Sequence, residues 1–253
     1  GEDAARLNAG QRASLREIAT RIVKNGVLIA DEVGMGKTRI AVEVVRSVIE
    51  SGGRVAILIP PGLGYQWQAE LQDGGVNDVP PILRSLKAYL DEWNDDEPAK
   101  TPWFEKQAVM VSHAFTNWRL SGRTDQERWA LLPELYAHWR KMKSGRLPRT
   151  YHEKLNRRLP CDAAKSITDA IPSYRIHPKH PVRRLLDQLL EEVQWSSQML
   201  DAAEYSQGGE LRVWLERSVG FGLGVFNLVI IDEAHKNRGA EGGLSRLLNN
   251  VIA

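Results

Sequence analysis

Two short stretches contain the residue types that phosphate chemistry needs. In the first, "LIADEVGMGKTRIAVEV" (residues 28–44), Gly34-Met35-Gly36-Lys37-Thr38 follows an apolar run and precedes an amphipathic one. Glycines there let backbone N–H groups turn inward around phosphate oxygens, where a side chain would be strained or in the way. Lys37 offers a point charge for the β- and γ-phosphates. Thr38 offers a hydroxyl for Mg²⁺ and opens a helix whose positive end favours an anion. The second stretch, "FNLVIIDEAHKN" (residues 226–237), ends an apolar run in Asp232 and Glu233. Asp232 is suited to hold Mg²⁺, and Glu233 to polarise an attacking water. ATP and Mg²⁺ are therefore the expected ligands. Gly34, Met35, Gly36, Lys37, Thr38 and Arg39 line the nucleotide, Thr38 and Asp232 ligate the metal, and Lys37, Asp232 and Glu233 carry the chemistry. One feature departs from the full phosphate-loop pattern: Asp31 stands five residues before Gly36, where that pattern has glycine.

Such groups need a rigid frame behind them. The runs at 27–30, 55–59, 108–111 and 228–231 are short, β-branched and nearly continuously apolar. They read as strands buried on both faces, as in a parallel sheet. Between the first two, Ile40, Ala41, Val44, Val45, Val48 and Ile49 recur at helical spacing over 38–50, and Gly52-Gly53 follows as a stop. Strand, glycine-rich turn, helix and strand imply a right-handed βαβ unit, and the expected fold class is α/β. From about Phe115 to Gly220 the pattern is helical, with a stripe at Val182, Leu185, Leu186, Leu189, Leu190 and Val193.

Composition narrows the partners. The chain has 253 residues, is 42% hydrophobic and 26% charged, and contains one cysteine, Cys161. No apolar run approaches the roughly 20 residues that span a bilayer. No membrane partner is expected, and the compartment expected is the cytoplasm, at the nucleoid if the chain is bacterial. The net charge of +2 hides a segregation: from His138 to Arg184 there are 13 basic and 3 acidic residues, +10 in all, which leaves −8 elsewhere. A polyanion is the expected partner for that middle segment, with Arg157 and Arg158 as candidate contacts. Trp118, Trp129, Trp139, Trp195 and Trp214 fall in the helical region, and most are expected in its core, with base stacking by any one of them the minority reading. A zinc site from His152, Cys161, His177 and His180 is disfavoured, because no Cys-x-x-Cys is present. "GFGLG" (220–224) precedes a strand rather than a helix and reads as a flexible return.

"ADEVGMGKT" and "VIIDEAHKN" resemble motifs I and II of superfamily 2 helicase-like ATPases, most closely the Swi2/Snf2 group with a DEAH-type motif II. In that group an Asp-Glu pair commonly precedes Gly-x-Gly-Lys-Thr, so Asp31 is a family variant. The resemblance implies a RecA-like lobe, with Gln11, 26 residues before Lys37, as the adenine-reading glutamine and His235 as a coupling residue. "VAILIPPGLGYQWQAEL" (55–71) resembles motif Ia, which implies nucleic-acid backbone contacts at Pro60, Pro61, Gly62 and Tyr65, while Trp67 and Leu71 pack the helix on the sheet. "VMVSHAF" (109–115) resembles motif Ib, with Ser112 and His113 as strand contacts.

The division implied is a RecA-like lobe over 1–116, a basic helical insertion over 117–219, and the lobe continued over 220–253. Motif III and a second RecA-like lobe with arginine fingers are not in the sequence, so the resemblance implies the first lobe of a longer enzyme that is feeble alone. The expected activity is that of a double-stranded DNA translocase, in which other subunits of a complex are possible partners. Two readings stay open: a binding module for nucleic acid or a partner protein, and an RNA helicase, since the DEAH spelling is shared. Bacterial Snf2-like ATPases serve transcription recycling, restriction and phage defence, and these residues do not choose among them.

Overall fold

A computed structural model describes residues 7–22, 26–29, 36–93, 101–120, 127–152, 154–173, 181–234 and 242–252. Three of the apolar runs become neighbouring strands: β1 (Val55–Ile59), β3 (Ala108–Ser112) and β4 (Leu228–Ile231). With the two-residue β2 (Ile82–Leu83) they form a sheet ordered β2-β3-β1-β4, every pairing parallel. Val55 sits opposite both Ala108 and Leu228, so β1 is the central rung against which β3 and β4 are registered. The α/β class follows.

Side-chain alternation assigns each sheet face to a different set of helices. Val55, Ile57, Ile59 and Met110 join Val42 and Val45 of α2 (Lys37–Glu50) and Trp67 and Leu71 of α3 (Gly64–Asp73). Leu58, Val109 and Val111 face the other way, onto α4 (Leu86–Asp91), α5 (Leu131–Ser144), α6 (Arg158–Ser173), α7 (Pro181–Glu192) and α8 (Glu210–Leu223). The basic helical region thus shares one apolar core with the sheet. Its tryptophans belong to that core: Trp129, Trp139 and Trp214 are buried, and Trp118 and Trp195 pack against them. The indole N–H of Trp139 donates to Asp187 and that of Trp195 to the Arg149 carbonyl.

Two arginines fasten this assembly. Arg54, at the mouth of β1, donates to the carbonyls of Trp103, Lys106, Leu223 and Val225 at 2.8–3.0 Å and lies over the Phe226 ring. Burial lowers its pKa to about 10, which leaves it charged at neutral pH. Arg212 in α8 donates to Glu216 one turn later and to the carbonyl of Thr116, and Glu216 accepts from Asn250. That network joins α8 to the loop after β3 and to the chain end formed by α9 (Gly243–Arg246) and a π-turn (Leu247–Val251).

Two expectations change. Residues 26–29 form no strand, and Leu28 is 85% exposed. Apolarity alone does not make a strand; pairing does, and among the described residues this run has no strand neighbour. The "GFGLG" stretch is no flexible return, because residues 220–223 are the last turn of α8. Its glycines permit close approach: a Cβ on Gly220 would lie 2.3 Å from the Val251 carbonyl oxygen, and one on Gly222 2.0 Å from the Tyr89 hydroxyl.

Candidate functional site at the carboxyl edge of the sheet

Chain direction brings the two chemistry-bearing stretches to one edge of the sheet. After α2 the chain turns at Gly52, which has φ +79°, with the Gly53 N–H bonded to the Val48 carbonyl, and it enters β1 within a few residues. Helix α2 therefore runs back along the sheet, and its first turn lies at the end where the parallel strands finish. Asp232 is held at that same end, its N–H donating to the Leu58 carbonyl at 2.9 Å. Ligands bind at such carboxyl ends in open α/β sheets.

Gly36 caps α2 in a left-handed conformation, φ +76° and ψ +31°. A Cβ there would also lie 2.2 Å from Gln11 Nε2. The left-handed backbone calls for glycine, and any Cβ would also force the Gln11 amide to move. Lys37, Thr38 and Arg39 fill the first turn, in which no side chain caps the helix and no acidic residue stands among the described residues. Arg39 faces Glu70 at 3.9 Å. Gln11 is fixed by a capping box at the start of α1 (Ala9–Arg21): its side-chain oxygen accepts from the Asn8 N–H, and its own N–H donates to the Asn8 side chain. Beside it, Leu7, Arg39, Val42, Glu43, Glu70, Asp73 and Gly74 line a groove of about 440 Å³.

The Asp232 carboxylate accepts a 2.8 Å hydrogen bond from the Trp67 indole. Trp67 is buried on the sheet, as packing requires, and it also aims this carboxylate. The only signal for that in the sequence is that a buried indole N–H needs an acceptor. Glu233 follows with φ +54°, in the left-handed region that a non-glycine residue enters at a cost of roughly 1–2 kcal/mol. Its side chain is half-buried. Asp31, Gly34, Met35 and His235 lie outside the described residues.

His113 is 3% exposed, and its N–H donates to the Ile59 carbonyl. Burial holds its imidazole below the ordinary pKa, opposed by a hydrogen bond to the Leu58 backbone and by the Asp232 charge. Ser112 is buried as well. Neither side chain reaches the surface, where a nucleic-acid strand could touch it, and the His113 carbonyl packs closely against Gly243. Pro61, Gly62 and Tyr65 are exposed at the same edge, and Pro60 is half-buried. Gly62 has φ +96° with open space beside it, and Tyr65, 70% exposed, lies under the Arg84 guanidinium at 5.0 Å.

The two arginines expected on the basic face diverge. Arg157 is 2% exposed, ion-paired with Glu127 and stacked over Trp129 at 5.0 Å. It is a core residue, since a buried and paired guanidinium has no phosphate to meet. Arg158 is exposed and bridges to Asp162. The exposed positive charge instead gathers at Lys141, Lys143, Arg146 and Arg149, around the end of α5.

Comparison with known proteins gives partial matches. Over 59 residues the chain is 46% identical to the RNA polymerase-associated protein RapA of Pseudomonas aeruginosa (strain LESB58), which is 22% of this chain and 6% of that protein. It is 48% identical over 59 residues to RapA of Pseudomonas fluorescens (strain SBW25) and 44% identical over 99 residues to RapA of Stutzerimonas stutzeri (strain A1501). The last match covers 38% of this chain and 10% of the relative, so the chain spans a tenth or less of these relatives' length. No family model and no solved structure matches it.

Proposed function

We propose that this chain is an ATP-binding lobe of a Snf2-like, nucleic-acid-dependent ATPase motor. The observation that carries the reading is the convergence of Gly36-Lys37-Thr38 and the Trp67-aimed Asp232 carboxylate at one edge of a parallel sheet. The partial similarity to RapA supports it, and the name of those relatives makes RNA polymerase or a comparable nucleic-acid complex a reasonable class of partner.

In this reading the first turn of α2 would receive the phosphates, with Gly34, Met35, Gly36 and Lys37 as the residues that would bind them. Thr38 and Asp232 hold Mg²⁺, which neutralises phosphate charge. Glu233 orients water, and its strained backbone fixes the carboxylate where packing alone would not. Gln11 and the groove between Leu7 and Arg39 accept the adenine. His235 links the site to other parts of the protein. Nucleic acid runs along Pro60, Pro61, Gly62 and Tyr65, and duplex DNA is favoured over RNA on the family resemblance. An arginine from a second lobe would supply the charge stabilisation worth about 10³–10⁵ in rate.

The test is ATP binding and DNA-stimulated hydrolysis by the full-length protein. Lys37→Ala should abolish hydrolysis and weaken nucleotide binding. Glu233→Gln should keep nucleotide binding while hydrolysis falls about 10²–10⁴-fold. Unchanged turnover in both variants would refute the assignment.

A further inference from the structure

Away from the nucleotide edge, α5 and α6 bring three ligand-type side chains together. Glu134 and His138 stand one turn apart on α5, and Cys161 faces them from α6. Their ligand atoms all lie within 4.8 Å of one another. His138 Nε2 is 3.5 Å from Cys161 Sγ and 3.9 Å from Glu134 Oε2. The Tyr151 hydroxyl donates to that same Glu134 oxygen at 2.5 Å. Glu134 is 1% exposed, Cys161 is buried and His138 is half-buried.

We propose that Glu134, His138 and Cys161 form a binding site for a thiophilic divalent metal of the zinc type. Geometry supports this first. Tetrahedral zinc with bonds of about 2.3 Å to sulfur and 2.0–2.1 Å to nitrogen places those two ligand atoms about 3.6 Å apart. The Cys161–His138 separation of 3.5 Å is already that edge, the His138–Glu134 edge of 3.9 Å needs to shorten by about half an ångström, and the Glu134–Cys161 edge starts within 4.8 Å. Charge supports it next. A carboxylate and a thiolate are costly to bury, but with a divalent cation and a neutral imidazole the cluster is neutral overall. Ligand softness then selects the ion: a thiolate favours zinc-like metals and disfavours the Mg²⁺ or Ca²⁺ that all-oxygen sites take. Tyr151 fills the role of an outer partner that orients a ligating carboxylate.

Such an ion would tie α5 to α6 one turn before Lys141, and so brace the exposed basic turn of Lys141, Lys143, Arg146 and Arg149. The sequence concealed the site because its ligands follow no Cys-x-x-Cys spacing. Cys161 is also the chain's sole cysteine, which makes the assignment easy to read.

The experiment is a Co²⁺ titration of the purified protein after chelator treatment, without nucleotide. The expected result is a near-ultraviolet thiolate-to-cobalt band that saturates at one equivalent, is abolished by Zn²⁺, and accompanies a higher thermal midpoint. Tyr151→Phe, which keeps all three ligands and the packing, should lower the affinity about 10–100-fold. His138→Gln should abolish the band while Cys161 remains. Failure of the wild-type protein to develop the band, or a band unchanged by His138→Gln, would overturn the proposal.

Discussion

The indole N–H of Trp67 donates to a carboxylate oxygen of Asp232, 165 residues further along the chain, at 2.8 Å. One side chain thereby packs α3 on the sheet and sets the direction of the acid at the end of β4. Trp67→Phe separates the two roles. The smaller ring keeps only part of the packing and cannot donate, so the thermal midpoint should fall by several degrees, and it is the Mg²⁺ dependence that reports the aiming. A hydrogen bond to a charged group is worth about 1.5–3 kcal/mol. If Asp232 must be aimed to hold Mg²⁺, the Mg²⁺ concentration for half-maximal ATPase should rise about tenfold or more. A Mg²⁺ titration of the variant checks this, and an unchanged midpoint would reduce Trp67 to packing alone.

Gly36 and Gln11 are coupled in the same testable way. Gly36→Ala introduces a methyl group 2.2 Å from Gln11 Nε2 on a backbone that already requires positive φ. It should destabilise by at least the roughly 1–2 kcal/mol that a left-handed conformation costs an L-residue, plus whatever moving the Gln11 side chain costs. Gln11→Ala loses only the half of the capping box in which its side chain accepts from the Asn8 N–H, at about 0.5–1.5 kcal/mol, while the Asn8 side chain still caps the helix. In the double variant the collision is gone, so the combined loss measured by denaturant unfolding should be clearly less than the sum. Strict additivity would mean that the two residues do not touch.

Much of this arrangement was legible in the residues. The central strands β1, β3 and β4 are continuous apolar runs, and α2 and α7 carry clear helical stripes, because local periodicity reports which side chains are buried. What escaped is what periodicity cannot carry. Two-residue β2 is too short to have a period. Arg157 and Arg158 are adjacent and identical in type, yet one is in the core against Trp129 and the other is in solvent; a charge count treats them alike. Trp67 and Asp232, like Cys161 and His138, meet only through the tertiary fold.

His113 makes stability depend on pH. Burial lowers its pKa in the folded state, so between that lowered value and the ordinary one of about 6.5 the unfolded chain holds more protons. Its contribution is fully present above about pH 6.5 and is lost as pH falls toward the folded value. His113→Gln should therefore flatten the stability profile below about pH 6.5 relative to wild type. Unfolding midpoints measured from pH 5 to 8 decide it, and parallel profiles would show that His113 does not titrate differently in the two states.

The exposed basic turn allows the binding surface to be located. Lys141, Lys143, Arg146 and Arg149 are all exposed, but Lys143 is ion-paired at 3.1 Å with Asp187. If the other three contact phosphates, reversing all three to Glu should weaken DNA binding and reduce the salt slope of log K by about 0.9 for each lost contact. Folding should be unaffected, because none of the three side chains is buried. Arg157→Glu should behave in the opposite manner. Placing a buried carboxylate beside the half-buried Glu127 and removing the cation from Trp129 should cost several kcal/mol, enough to unfold the helical region. Fluorescence anisotropy across a salt series, with circular dichroism on each variant, distinguishes the two outcomes. A triple reversal that leaves affinity and slope unchanged would move the nucleic-acid surface away from α5, toward Pro61, Gly62 and Tyr65.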